Sequence, residues 1–247
     1  MNELDDVVFF SPGSVLRRSI SVLSLEIPVF LTITTLTFSP FIALTVLAGL
    51  SDSAMASNQS FFSNYIVSLI CQPLAAATLI HGVFRRLRGE RASLTECLQT
   101  GLSRIFPVVG FSLLSSLLTT LGASMCLIPG MIMSCMLYVG LPSVVVEGKG
   151  PIEAARRSDN LTKGFRWQIF SLIVIVWLIS ILMSSALIAT MTALDIFSNA
   201  SLVSQLISYL IQIVTTALSA VLTAVAYHDL RVSRDGIDSN DLVSVFD

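Results

Sequence analysis

The cations of this chain fall into four short clusters, and each gap between clusters is a long apolar tract broken once by a polar or Pro-Gly turn. The fourteen Lys and Arg residues are Arg17 and Arg18; Arg85, Arg86, Arg88, Arg91 and Arg104; Lys149, Arg156, Arg157, Lys163 and Arg166; Arg231 and Arg234. A Lys or Arg at the centre of a membrane span costs about 2.5–3.5 kcal/mol on insertion scales, and short cytoplasmic loops collect such residues. The alternation therefore reads as a topology: six membrane crossings, with both ends of the chain on the cytoplasmic side.

Composition agrees with that reading. Hydrophobic residues make up 54% and charged residues 12%, with a mean hydropathy of +0.83; soluble domains carry roughly a quarter charged residues. The net charge of -2 hides an asymmetry, because the expected outer loops hold only Asp52 and Asp195 while every cation sits inside. These cations flank spans and form no continuous stripe, so no nucleic-acid surface is implied. Cys71, Cys97, Cys126 and Cys135 lack the C-x-x-C spacing of zinc and redox sites and read as small core residues, with pairing of Cys126 and Cys135 across Pro129-Gly130 left open. Arg17-Arg18, an apolar stretch and Ala54-Met55-Ala56 mimic a signal peptide. The stretch from Ile27 to Leu50 is about twice a normal signal core, which favours a retained span.

With about 20 apolar residues per crossing, the spans fall at Ile27 to Leu50, Phe61 to Phe84, Ile105 to Ile128, Met131 to Val146, Trp167 to Leu194 and Leu202 to His228. The fourth is short, and Pro129-Gly130 before it is read as a tight turn closing an antiparallel hairpin. The outer loops, Ser51 to Ser60 and Asp195 to Ser201, are brief. Segments on the inner side are too polar to cross yet keep helical spacing. Ser93-Leu94-Thr95-Glu96 is a capping box, and Leu94, Cys97, Leu98, Leu102 and Ile105 follow on one face. Pro12 fits a first helical turn, with Leu16, Ile20 and Leu23 as an apolar stripe and Arg17 and Arg18 facing headgroups. A third such segment, Pro151 to Phe165, has a poorer stripe and is expected to break near Asn160.

The expected fold is thus all-α and polytopic: six transmembrane helices as three hairpins, each preceded by a cytoplasmic-side interfacial amphipathic helix. It forms one membrane domain over residues 1–236, with a threefold repeat at 11–84, 92–147 and 150–228 and a cytoplasmic tail at 237–247. Ser14 to Pro28 and Ser93 to Pro107 share their spacing, which carries the repeat.

Ionisable groups near span ends are His81, Glu147, His228, Asp229 and Glu26. Groups at such depth are candidates for a proton or metal site, although each also fits an interfacial residue that snorkels or pairs with a nearby Arg. Deeper polarity is limited to Gln72, Gln205, Gln212 and many hydroxyls, with Gln72 placed to offset the carbonyl freed by Pro73. Pairs of small residues, Ser180 with Ser184 and Ala220 with Ala224, suit close helix contacts, and Pro40, Pro73 and Pro142 suit kinks. No G-x-S-x-G, P-loop, H-E-x-x-H or G-x-G-x-x-G is present. The expectation is no enzyme, no cofactor and no metal.

Ile128-Pro129-Gly130, the short span ending Pro142-Ser143-Val144-Val145-Val146-Glu147-Gly148, and then Ala154, Ala155, Ser158, Leu161, Thr162, Lys163 and Gly164 form a recognisable series. With the closing Tyr227-His228-Asp229-Leu230-Arg231 and Gly236, it resembles the glycerophosphoryl diester phosphodiesterase membrane-domain family and YciC-like inner-membrane proteins. The resemblance covers roughly Ile105 to Gly236 and implies a bacterial cytoplasmic (inner) membrane module without the catalytic domain that gives the family its title. Within it, Glu147 and the Ser158 to Gly164 element suit an elbow: a carboxylate at a span exit bonds the next segment, and Gly164 lets the backbone turn back. The expected role is a non-catalytic accessory or interaction subunit, or a membrane-homeostasis factor, in contact with anionic headgroups and a partner membrane protein. A small transporter or permease built around Gln72, Gln205 and Gln212 is the alternative, and an intramembrane enzyme on His81, Glu147 and Asp229 ranks last.

Overall fold

The computed structural model describes residues 12–50, 67–87, 94–193 and 201–235. The outer-loop residues 51–60, the Ala54 to Ala56 site, the start of the second expected span, the capping Ser93, residues 195–200 and the tail 237–247 lie outside them, as do the side chains of Glu26 and Gln205. Among the described residues the chain is almost wholly helical, with no strand. The helices are α1 (Pro12–Leu50), α2 (Gln72–Leu87), α3 (Leu94–Ser103), α4 (Ile105–Met125), α5 (Leu127–Leu137), α6 (Gly140–Glu147), α7 (Pro151–Thr162), α8 (Arg166–Ala193) and α9 (Ser201–Asp235).

Among the described residues four apolar helical stretches are long enough to cross a membrane: Ile105–Met125, Ile128–Glu147, Arg166–Thr190 and Leu206–Arg234. A bent pair within α1, Pro12–Leu23 and Pro28–Pro40 at 83°, raises the number to five. The bend falls at Pro28, which lacks the N–H that would bond back and whose ring clashes with the preceding turn. Proline acts differently in α2, where a π-turn at Val67–Cys71 precedes Pro73 and takes up its misfit. Gln72 is exposed and does not fill the role expected of it.

Pro129-Gly130 is not the turn. The chain reverses at Cys126, whose backbone is extended, and Pro129 sits in the first turn of α5, where its missing N–H costs nothing. Gly130 is instead the point at which α4 and α5 touch: a Cβ there would lie 2.8 Å from the Ala123 Cα, and one on Gly122 would lie 3.0 Å from the Gly130 Cα. Cys126 is exposed, Cys135 is buried, and both are free thiols, so the pairing left open does not form. The α5–α6 stretch runs 20 residues from Ile128 to Glu147 with a break before Pro142, longer than the span expected there.

The core gathers around α9, where Tyr227, Leu222 and Leu230 are fully buried with Phe30 and Ile33 of α1, Leu79 and Ile80 of α2 and Leu161 of α7. Burial separates the apolar stretches into two kinds. Those in α5–α6 and α9 are 50% and 56% buried, whereas those in α4 and α8 are 11% and 6% buried; the latter therefore offer most of their apolar surface to whatever surrounds the protein. Ala220 and Ala224 are buried as helix contacts, but Ser184 is exposed, so the Ser180–Ser184 pair makes no such contact.

The amphipathic segments pack by small residues. In the first part of α1, Pro12–Leu23, the buried positions are Val15 and Ser19, with Leu16 and Leu23 beside them and Ile20 exposed. On α3 Cys97 and Gly101 are buried, Leu98 is half-buried, and Leu102 is exposed. On α7 Ala154, Ser158 and Leu161 form the inner face, and the helix runs past Asn160 to Thr162.

Candidate functional site

Helix α6 ends at Glu147 because Gly148 takes a left-handed conformation, φ 67°, that favours glycine. The carbonyls left over at this end are met by Arg104, whose Nη1 donates to the Val144 and Val145 oxygens at 3.0 and 2.9 Å. Pro151 then starts α7 at its first helical position, and the elbow directs α7 back across the end of α6. Arg157 Nε donates to Glu147 Oε1 at 3.1 Å. The Tyr227 hydroxyl of α9 donates to the same oxygen, and Lys149 Nζ pairs with Oε2. Glu147 is thus 12% exposed with its charge met by two cations and a phenol.

Below this carboxylate, the Ser158 hydroxyl donates to the Met136 carbonyl at 2.6 Å, an oxygen at the α5–α6 break. The Thr162 hydroxyl turns back on Asp159 O, and Phe165 N donates to Thr162 O at 3.0 Å as the chain passes Gly164, φ 87°. Asp159 accepts from Arg166 and Lys163, each at 3.1 Å. Arg234 near the end of α9 donates to the Lys163 carbonyl, which ties α9 to the α7–α8 turn.

A second centre lies on α9 at Asp229, 2% exposed. Arg18 of α1 pairs with its Oδ1 at 3.0 Å, and His228 Nδ1 stands 3.5 Å from the same oxygen. Phe84 of α2 joins the two centres, its ring edge-on to Tyr227 at 5.8 Å and tilted against His228 at 6.5 Å. On α2, Arg85 pairs with Glu96 of α3, which gives the carboxylate expected in the capping box a partner on another helix. Leu230 is fully buried and Arg231 half-buried beside this layer.

The sequence-predicted residues therefore divide. Glu147, Ser158, Leu161, Thr162, Gly164 and Tyr227 come together as an elbow, Pro129 and Gly130 lie on the distant α4–α5 contact, and His228 with Asp229 forms the separate Arg18 centre. His81 is half-buried on α2. Among the described residues no group of three His, Cys, Asp or Glu side chains gathers to hold a metal. Sequence reasoning missed Arg104 as the cap of α6 and Arg18 as the partner of Asp229. These partners stand 40 and 211 residues apart, and no local pattern marks them.

A cavity of 470 Å³ opens elsewhere, bordered by α2, α4, α5, α6, α8 and α9; its wall is mostly apolar and carries serine and threonine hydroxyls but neither Gln72 nor Gln212. Residues 97–230 match the model of a family described as a domain of unknown function, DUF7847, a stretch that holds the whole Glu147 elbow. No curated protein and no solved structure matches the chain.

Proposed function

The chain belongs to the DUF7847 family, and from its helices and its paired carboxylates we propose that it is a non-catalytic integral membrane protein that contacts anionic headgroups. In this reading it crosses the membrane six times as three hairpins, each led by an interfacial helix: the first part of α1, α3 and α7. Both termini are cytoplasmic. The resemblance to the glycerophosphoryl diester phosphodiesterase membrane-domain and YciC-like proteins supports a bacterial inner membrane and an accessory or membrane-homeostasis role beside a partner membrane protein. A small permease is the alternative, and the cavity gives it a place to act, but neither Gln72 nor Gln212 lines that cavity.

One observation carries the reading: the carboxylates of the elbow and of α9 are paired with cations, and other cations are left over. Glu147, Asp159 and Asp229 each have cationic partners within the fold, a poor start for acid-base chemistry, while Asp229 Oδ2 is buried without a partner among the described residues. Arg17 on α1 and Arg156 on α7 are exposed and pair with no carboxylate among the described residues. Both sit on helices proposed to lie at the surface, where each cation adds about 1 kcal/mol of attraction to an anionic leaflet.

The test is melting in nanodiscs of phosphatidylcholine alone and of phosphatidylcholine with phosphatidylglycerol. The mixture should raise the Tm of the native chain, and Arg17→Gln with Arg156→Gln should remove that gain without changing the Tm in phosphatidylcholine. An identical Tm in both lipids would end the headgroup proposal.

A further inference from the structure

The 470 Å³ cavity lies near the mid-length of α4, α8 and α9, beside the break between α5 and α6 and the start of α2. Ser115 and Thr119 stand near the centre of α4, Ser180 near the centre of α8, and Pro73 lies about 18 Å along the helix from Arg85. Its volume falls within the range of small-molecule sites, roughly 300–1,000 Å³. Two irregularities meet there: the π-turn that ends beside Pro73 and the α5–α6 break at Tyr138. Irregular backbone at membrane depth survives only where protein shields it or a polar cavity faces it, and π-turns recur at functional sites.

The lining defines the chemistry of an occupant. Among the described residues no carboxylate, Lys, Arg or His borders the cavity, so none of them would neutralise a charged ligand there. Ser112, Ser116, Ser134, Ser180 and Ser219 spend their protons on carbonyls of their own helices, at 2.8, 3.0, 3.0, 2.8 and 3.0 Å. Their remaining lone pairs can only accept. Ser115 and Thr119, one turn apart on the same face of α4, engage no group among the described residues and can both give and accept. Trp177, 67% exposed, lines the cavity from α8, one of the two least buried stretches. On the membrane reading above, that side faces lipid and an occupant enters laterally.

We propose that this cavity is a lateral binding site for an uncharged lipid bearing a free hydroxyl, the shared chemistry of a diacylglycerol and a long-chain alcohol. The hydroxyl bonds to Ser115 and Thr119, and the chain lies along the apolar faces of α4 and α8. The site rests on the membrane reading above and adds a ligand class to it.

Nanodiscs of phosphatidylcholine holding the full chain, irradiated with a diacylglycerol that carries a diazirine in one chain, provide the test. Labelling should saturate and concentrate on residues 112–119 and 173–180. Unlabelled diacylglycerol or oleyl alcohol should compete, the stronger competitor identifying the source, and phosphatidic acid should not. Thr119→Val, which keeps the shape and removes the hydroxyl, should weaken that competition by about fivefold, as one lost hydrogen bond would; Ser115→Phe should block labelling by filling the space. Unsaturable label spread evenly to Leu121 and Leu182, equal competition by phosphatidic acid, or two variants that both label like the native chain would overturn the proposal. Flotation separates the premises: a chain that leaves the lipid overturns both the spans and the site, whereas an embedded chain with unsaturable label overturns the site alone.

Discussion

A carboxylate at the exit of a membrane span is costly unless its charge is met, and Glu147 is met from three directions by Tyr227, Arg157 and Lys149. Removing one partner of such a buried group costs more than the group itself contributes, because the donors left behind lose their acceptor. Glu147→Leu should therefore destabilise by about 2–3 kcal/mol and Glu147→Gln by only about 1 kcal/mol, since the amide oxygen still accepts from Tyr227. Tyr227→Phe should cost about 1–2 kcal/mol in the native chain and clearly less in the Glu147→Leu background. Melting of the four variants beside the native chain in detergent checks this, and equal losses for Gln and Leu would mean that the hydrogen bonds do not hold the elbow. The Cys97 thiol allows a separate check at this scale. Burial pushes it above its ordinary range, with Arg85 partly opposing, so less thiolate exists at any neutral pH. Maleimide should react with exposed Cys126 well before Cys97, and the difference should vanish on denaturation.

Helices in this chain were legible in sequence as elements but not as faces. Cation clusters and prolines locate α1, α4, α8 and α9, and the elbow after Glu147 was readable because Gly148, Pro151 and Gly164 have few other uses. Which side of each helix turns inward was less readable. In water an apolar stripe marks the buried face; at a membrane it equally marks the face toward lipid, so Leu102 and Ile20, both on the expected apolar stripes, are exposed from the protein while Gly101 and Ser19 are buried. Small residues carry the better signal, because they let backbones approach. The α4–α5 contact puts a figure on it. Gly130→Ala places a Cβ within 3 Å of backbone atoms that cannot rotate away, so it should destabilise by about 2–3 kcal/mol. Gly150→Ala, with open space around its Cβ, should cost only about 0.5 kcal/mol for the weaker helix cap. Comparable Tm losses for the two would refute the close approach.

Across the whole molecule the ion pairs constrain direction. Arg18 near the start of α1 meets Asp229 near the end of α9; Arg85 at the end of α2 meets Glu96 of α3; Arg104, at the start of α4, caps the end of α6; and Arg166, opening α8, meets Asp159 of α7. One layer thus holds the starts of α1, α4 and α8 and the ends of α2, α6 and α9. That parity is what alternating crossings require, and it places Cys126, at the far end of α4, on the opposite side. Because Lys and Arg are retained on the cytoplasmic side of a membrane, the layer should face the cytoplasm. In a background with Cys71, Cys97 and Cys135 changed to Ser, an impermeant maleimide added to intact cells should label Cys126. The same background with Cys126→Ser and Ser233→Cys should remain unlabelled until the membrane is opened. Labelling of Ser233→Cys in intact cells would invert the orientation, and with it the claim that Arg17 and Arg156 meet the inner leaflet. Labelling of both positions from outside would be worse for the reading, since no set of alternating crossings brings the two ends of α4 and α9 to one face.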